Sequence, residues 1–256
     1  MESGVPIMFD NFARRIGLKD NKIALRFIKS GASWMTDTLP KSISPPVPRL
    51  NRVIERQARL SQGEGERPIW SGYEAVSNYP RSTVGARTSD QVRTDGRSGA
   101  FYVWLVSRRR PSTIVEFGTA FGVSGMYWLA GLQQLGEGHL FTFEPNADWA
   151  AIAKRNLDAI SSSYTLSSGT FEELAGPALG NRQVDLAFVD AIHTSEFVYA
   201  QFEVLKRHMA PAGIILFDDI NFSEDMQACW LDIANRAEVV ASAAIGERVG
   251  MIELRS

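Results

Sequence analysis

Five acidic residues stand at, or one residue from, the carboxyl ends of predicted strands. They are Glu116, Glu144, Asp190, Asp218 and Asp219. In an open α/β sheet these strand ends line the ligand crevice. Carboxylates gathered there repel one another, and a cationic or hydrogen-bond-donating ligand would relieve the repulsion. Each acid alone is explained equally well as a helix N-cap or a solvated turn residue, but five at equivalent places indicate a binding site.

Strand order separates the roles of these acids. Glu144 ends the second strand of the regular region, where a carboxylate typically accepts hydrogen bonds from both hydroxyls of a ribose. Glu116 precedes a turn that contains Gly118 and Gly122, which have no side chains to keep a ligand off the backbone. Its position suits a group that orients this turn or an ammonium group of the ligand. The spacing E-x-G-x-x-x-G is weak evidence by itself, because a plain strand-to-helix turn also explains it.

Asp190, Asp218 and Asp219 end two strands that should be neighbours in the sheet. Three carboxylates with room for water form the oxygen-rich site that a hard divalent cation such as Mg²⁺ prefers. His193 follows Asp190 by three residues and belongs to the same strand-to-helix loop. The sequence therefore predicts a magnesium site with a histidine beside it.

The elements that position these residues alternate between strand and helix from about residue 95 onward. This alternation over five units predicts an α/β fold with a mostly parallel, doubly wound sheet. Two final runs, separated by Gly246 and Glu247, predict an antiparallel hairpin that closes the sheet. The seven predicted strands span residues 113–117, 139–143, 164–168, 184–189, 214–217, 239–244 and 248–254.

The chain divides into a predicted helical and irregular extension over residues 1–92 and a predicted catalytic domain over residues 93–256. Apolar residues at helical spacing predict two short helices within residues 8–29 and a further helix over residues 51–60. Trp70 is either an aromatic of a lid or substrate pocket, or an anchor for a long loop. We expect the extension to select the substrate, close over the site or form dimer contacts.

The composition is that of an ordinary soluble globular protein of 256 residues, 45% hydrophobic, with a formal net charge of −2. No apolar run is long enough to span a bilayer, and the amino terminus lacks a secretory pattern, so we expect a cytoplasmic protein. The single cysteine, Cys229, excludes an intrachain disulfide and a cysteine-based metal cluster.

Charge is unevenly distributed along the chain. Residues 1–110 carry 19 basic and 10 acidic side chains, whereas residues 111–256 carry 8 and 19. An anionic partner would explain this asymmetry, but the basic residues are dispersed and no nucleic-acid module accompanies them. The favoured alternative is that the basic segment packs against the acidic domain, in the same chain or in a dimer. We therefore expect a small-molecule substrate and no nucleic-acid partner.

Five segments, in this order, resemble motifs of the class I S-adenosylmethionine (SAM)-dependent methyltransferases. The similarity is greatest to the small O-methyltransferases of the catechol and caffeoyl-CoA type and their bacterial antibiotic- and sugar-modifying relatives, and it implies a Rossmann-like fold. The segments are VEFGTAFGVS (115–124), FTFEPNADWAAIAKRNL (141–157), SGTFEEL (168–174), VDLAFVDAIHTSEF (184–197) and MAPAGIILFDDIN (209–221).

The resemblance assigns a role to each matching position. It places the methionine part of SAM near the glycine turn, the ribose on Glu144 and the adenine near Thr170 and Phe171. Asp190 would contribute to catalysis and to cofactor binding, and with Asp218 and Asp219 it would hold the metal. The implied cofactor-binding residues are Glu116, Gly118, Ala120, Gly122, Ser124, Glu144, Thr170, Phe171 and Asp190.

Two departures from the family pattern bear on catalysis. The third metal position is often Asn and is Asp219 here, as among the antibiotic-modifying relatives. His193 replaces the lysine of the catechol enzyme, and a histidine can serve as a general base near neutral pH. An ordinary loop histidine is the alternative.

The predicted activity is transfer of a methyl group from SAM to a hydroxyl of a small molecule, with Mg²⁺ binding the substrate oxygen. Two alternatives stay open: an O- or N-methyltransferase of the same fold without metal, and a cofactor-binding module without catalysis. A nucleotide-binding oxidoreductase is disfavoured because the G-x-G-x-x-G fingerprint is absent. Phenol, sugar and polyketide hydroxyls all fit as substrates.

Overall fold

The computed structural model describes residues 22–72, 85–190 and 192–256. The helices in this part of the chain are α1 (Trp34–Thr38), α2 (Asn51–Gly63), α3 (Ser89–Val92), α4 (Gly96–Arg109), α5 (Val123–Leu135), α6 (Ala147–Asp158), α7 (Phe171–Leu179), α8 (Ser195–Lys206) and α9 (Glu224–Asn235). The strands are β1 (Ile23–Ser30), β2 (Ser42–Ile43), β3 (Arg67–Pro68), β4 (Ala86–Arg87), β5 (Thr113–Phe117), β6 (His139–Phe143), β7 (Tyr164–Ser167), β8 (Val184–Val189), β9 (Met209–Phe217), β10 (Val239–Ile245) and β11 (Val249–Leu254).

The main sheet has the strand order β2-β1-β10-β11-β9-β8-β5-β6-β7. Strands β5 to β9 are parallel to their neighbours within this set, while β11 and β10 run antiparallel at one side. The chain moves outward from β5 through β6 to β7 and then crosses back to β8, so the strand order reverses between β5 and β8. Such a reversal opens a ligand crevice at the carboxyl ends of the strands. The predicted doubly wound α/β fold and its closing hairpin are confirmed.

The predicted helix over residues 23–29 is wrong, because Ile23–Ser30 forms strand β1. Ile23 and Leu25 are buried while Ala24 and Arg26 are exposed, so the segment also carries the two-residue period of a strand. β1 pairs antiparallel with β10 and covers an edge that would otherwise be unpaired. The sheet therefore has two more strands than predicted; residues 8–21 lie outside the described part of the chain.

Two apolar cores flank the sheet. Ile114 belongs to the core under α2, α4, α5 and α6, whereas Val115 and Phe117 belong to the core under α7, α8 and α9. This alternation follows from the two-residue period of a strand, and all five residues of β5 are buried. Glu116 therefore points into the α5 side of the sheet.

Helix α2 confirms the helix predicted near residue 51 and attaches the amino-terminal region to the rest of the protein. Ile54 and Ala58 are buried, and the Tyr127 hydroxyl donates to Glu55 Oε1 at 3.0 Å. Asn156 Nδ2 donates to Ser61 Oγ at 2.7 Å. Within the described residues no helix is long and apolar enough to cross a membrane.

Candidate active site

A cavity of about 550 Å³ lies at the carboxyl ends of the central strands. It is large enough for a drug-sized ligand. Gly118 and Ala120 line it after β5, Glu144 after β6, and Asp190 and His193 after β8. The crevice predicted from strand order is thus present, and three of the five strand-end acids line it: Glu144, Asp190 and Asp219.

The turn after β5 has an unusual backbone conformation. Gly118, Ala120 and Gly122 all have positive φ, at 79°, 46° and 81°. A left-handed conformation costs a non-glycine residue about 1–2 kcal/mol, and the Ala120 N–H offsets this by donating to Glu144 Oε2 at 2.8 Å. A Cβ at Gly122 would lie 3.1 Å from Ala153 Cα. Gly122 therefore allows α6 to pack closely against the turn, and it does not line the large cavity.

Glu144 joins this turn to the next loop. Its carboxylate accepts hydrogen bonds from the backbone N–H groups of Ala120 and Asn146, at 2.8 and 2.9 Å. Burial, only partly offset by these two hydrogen bonds, raises the pKa of Glu144 to about 7. A carboxylate has about four lone-pair sites, so two acceptor positions remain for a ligand in the cavity.

Glu116 is brought near the turn but not into the cavity. It is fully buried, and its Oε2 accepts a hydrogen bond from Thr142 Oγ1 at 2.8 Å. Its other carboxylate oxygen, Oε1, has no partner among the described residues. Burial raises the pKa of Glu116 to about 7. Ser124, also a predicted cofactor residue, lines only a small separate recess, so both side chains support the turn from behind.

Thr170 and Phe171, predicted to face the adenine, both line the cavity. The Phe171 ring stacks on Phe117 with centroids 3.9 Å apart and meets Phe143 edge to face at 5.3 Å. Because the ring is fixed by two aromatic neighbours, this wall of the cavity is rigid and apolar.

The acidic residues after β8 and β9 surround an arginine. Arg248 donates to both oxygens of Asp218, from Nε at 2.9 Å and from Nη2 at 2.6 Å, and its Nε lies 2.7 Å from Asp219 Oδ1. Sheet register explains the contact: Gly250 of β11 pairs with Phe217 of β9, and the Ile220 N–H donates to the Arg248 carbonyl at 3.0 Å. Arg248 therefore lies opposite Asp219, just beyond the last strand pair.

The predicted magnesium site at Asp190, Asp218 and Asp219 does not fit this arrangement. Among the described residues, no group of three or more His, Cys, Asp or Glu side chains is placed to hold a metal ion. Arg248 occupies both oxygens of Asp218 and repels a second cation at the same carboxylates. In the described residues the cation that contacts Asp218 and Asp219 is the Arg248 guanidinium, and the magnesium site stays a prediction.

His193 lies between two of these carboxylates and lines the cavity. Its Nε2 is 3.6 Å from Asp190 Oδ1 and 3.6 Å from Asp219 Oδ2, beyond hydrogen-bond distance. Burial lowers the pKa of His193, with the charges of Asp219 and Asp218 opposing the shift. Burial and the neighbouring Asp218 and Asp219 raise the pKa of Asp190 well above its usual value. The lowered pKa favours the neutral imidazole of His193, which can accept a proton.

Sequence reasoning missed several residues of the cavity wall. Arg248 had no signal, because it stands in a hairpin turn far along the chain from the aspartates. Gln201 on α8 is buried and lines the cavity, yet its Oε1 has no partner among the described residues. Trp149 also lines the cavity, and its buried Nε1–H has no hydrogen-bond partner among the described residues.

Residues 115–220 match a family model described as "Methyltransferase domain". This segment is therefore similar to methyltransferase domains. The predicted resemblance is confirmed by this match, which begins in β5 and ends just after Asp219. The matched segment includes the turn, Glu144 and His193, whereas Arg248 lies outside it.

A curated relative and two solved structures are similar to this chain. The O-methyltransferase ankF of Aspergillus thermomutatus is 32% identical over 124 residues, which are 46% of this chain and 49% of the relative. The chain thus spans about half the length of the curated relative that it matches. The Bacillus cereus O-methyltransferase in complex with SAH is 18% identical with a TM-score of 0.59, covering 87% of this chain and 96% of that structure.

The O-methyltransferase TomG of Streptomyces achromogenes, involved in tomaymycin synthesis and solved in complex with SAM, has a TM-score of 0.55. It is 16% identical, and the similarity covers 81% of this chain and 99% of that structure. At these identities, the two solved structures establish the shared fold.

Proposed function

We propose that this protein transfers the methyl group of SAM to a hydroxyl oxygen of a small molecule, without a divalent metal. The observation that carries the proposal is the single cavity in which the Gly118 turn and Glu144 lie at one wall and His193 at another. Methyl transfer needs both features together, because the cofactor and the acceptor oxygen must meet in line.

The cofactor end of the cavity fits SAM. Glu144 would accept hydrogen bonds from the ribose hydroxyls, since its carboxylate is already oriented by two backbone N–H groups. The backbone of Gly118 and Ala120 would lie against the methionine part, and Phe171 against the adenine. TomG was solved with SAM and the Bacillus cereus enzyme with SAH, and both structures support SAM as the cofactor.

His193 would act as the general base. When bound, SAM supplies an electrophilic methyl group on a positively charged sulfur. His193 Nε2 would accept the proton that leaves the substrate hydroxyl, directly or through water. The imidazolium formed would be stabilised by the Asp219 carboxylate, whose Oδ2 lies 3.6 Å from Nε2. This carboxylate thus favours the charged product of proton transfer, while burial favours the neutral imidazole at rest.

The substrate end of the cavity is largely aromatic. Trp70 comes from the amino-terminal region, Phe197 from α8 and Phe222 from the loop after β9. Phe222 also packs against the His193 ring, with centroids 5.4 Å apart. These walls favour a hydroxylated substrate with an apolar or aromatic body, and they give the amino-terminal region a part in choosing it.

The experiment uses methyl-labelled SAM, excess chelator and a panel of phenolic, polyketide and sugar hydroxyl compounds. We expect SAM to bind in calorimetry and at least one panel compound to gain the label on oxygen. Label on nitrogen would favour the N-methyltransferase alternative, and absence of SAM binding would refute the proposal.

The base assignment is tested by His193→Gln. Loss of a general base should lower kcat about 100-fold or more and abolish the decline of kcat at acidic pH, measured at saturating SAM. SAM affinity should not change. His208→Gln, a histidine outside the cavity lining, is the matched control; equal activity of the two variants would remove His193 from the mechanism.

A further inference from the structure

We infer that Arg248 is the resident cation of this site and that its removal lets the side chains of Asp190, Asp218 and Asp219 rearrange into a divalent-metal site. The inference deepens the proposed function, because the same guanidinium would hold the substrate oxygen. It replaces the chemistry predicted from the sequence, in which Mg²⁺ binds at Asp190, Asp218 and Asp219.

The ion pairs explain why one cation excludes the other. The Asp218 side chain is 3% exposed and both of its oxygens accept from Arg248, while Asp219 Oδ1 is 2.7 Å from Arg248 Nε. A guanidinium keeps its charge throughout the physiological pH range and matches a carboxylate bidentately. Both oxygens of Asp218 already accept a hydrogen bond from Arg248, and a divalent ion would also have to approach a fixed positive charge.

Arg248 also faces the cavity in which methyl transfer is proposed to occur. It lines the cavity together with Asp190 and His193. Its Nη1 makes no hydrogen bond to a described residue, whereas Nε and Nη2 are used by the aspartates. The Nη1–H groups can therefore donate to the substrate oxygen and stabilise the negative charge that develops as its proton leaves. A bound metal, acting as a Lewis acid, would stabilise the same negative charge.

The test measures Mn²⁺ binding by calorimetry and by the loss of the free-Mn²⁺ electron paramagnetic resonance signal. The wild-type protein should bind no Mn²⁺ at the cluster, and Arg248→Ala should gain a site at least about tenfold tighter. Asp218→Asn added to Arg248→Ala should remove that site. Arg248→Lys retains one positive charge and should still exclude the metal.

Arg236→Ala is the matched control, because Arg236 also pairs with two acidic residues, Asp232 and Glu203, on the surface. It should gain no Mn²⁺ site. Stoichiometric Mn²⁺ binding by the wild-type protein, abolished by Asp218→Asn, would overturn the inference without any arginine variant having to fold. A folded Arg248→Ala protein that binds no Mn²⁺ would also overturn it.

Catalysis gives an independent readout. Arg248→Ala should lower kcat more than it changes the KM for SAM, and wild-type turnover should be unaffected by chelator. Because Mn²⁺ binding needs no turnover, failure of the metal test and failure of the proposed methyl transfer are separate results.

Discussion

Replacing Glu144 by Gln should weaken SAM binding and remove its dependence on pH near neutrality. The change keeps the shape of the side chain but replaces one acceptor oxygen by an NH₂ group. One backbone N–H, of Ala120 or Asn146, then faces a donor instead of an acceptor. The side chain also loses the charge with which it would bind the ribose hydroxyls.

The magnitude follows from the number of hydrogen bonds lost. A hydrogen bond to a charged group contributes about 1.5–3 kcal/mol. Since about 1.4 kcal/mol is tenfold in affinity, one lost ribose bond raises the Kd for SAM roughly 10- to 150-fold.

The pH dependence has a defined sign. Burial raises the pKa of Glu144 to about 7, so the acceptor carboxylate is charged above that pH and protonated below it. Wild-type affinity should therefore increase as pH rises from about 6 to 8, and SAM binding near pH 7 should release a proton. The Gln variant should show neither effect.

Calorimetric titration of SAM at several pH values, in buffers of different ionisation enthalpy, measures both quantities. Glu137→Gln is the control, because Glu137 is largely exposed and pairs with Arg110 away from the cavity. An unchanged Kd in Glu144→Gln, or the same proton release as in the wild type, would refute the ribose assignment.

Two further substitutions test Glu116 and Gly122, the residues that hold the turn after β5 in place. Burial raises the pKa of Glu116 from 4.5 to about 7. About 3 kcal/mol of the free energy of unfolding should therefore be lost as pH rises from about 4.5 to about 7, and urea unfolding should show less of this loss in Glu116→Gln. An identical pH profile would contradict the assignment. Gly122→Ala should lower the free energy of unfolding by about 2 kcal/mol or more, because a positive φ and contact with Ala153 combine. Gly136→Ala, with positive φ and open space around the Cβ, should lose only the conformational part, about 1 kcal/mol; equal losses would exclude the packing explanation.

The parallel half of the sheet could be predicted because its strands are nearly continuous apolar runs separated by clear turn signals. The five residues of β5 are all buried, which is typical of a parallel strand covered on both faces. Since parallel strands end at one edge, the positions of Gly118, Glu144 and Asp190 followed from strand ends alone. Their individual roles, the domain boundary, the dimer and the cytoplasmic location stay predictions.

The amino-terminal strand could not be predicted from its local pattern. Residues 23–29 fit a helical period, yet Ile23 and Leu25 also fit a strand, and pairing with β10 decided between the two. Local propensity is weak when an unpaired sheet edge offers a full set of backbone hydrogen bonds. The position of Glu116 behind the turn has a related cause, because the two-residue period of β5 directs its side chain to the α5 side of the sheet.

The register between the antiparallel strands β9 and β11 decides which residue of the hairpin lies beside the aspartates. Aspartates at the ends of β8 and β9 are compatible with either cation, so their presence cannot distinguish the two chemistries. The pairing of Gly250 with Phe217 places the residue two positions before Gly250 opposite Asp219. Here that residue is Arg248, which is long enough to reach Asp218 as well. A neutral residue at this one position would leave the same carboxylates unpaired and available to a divalent ion. If this inference holds, the cation of the site is determined by a hairpin residue outside the matched methyltransferase segment, and that residue is the one to inspect in related chains.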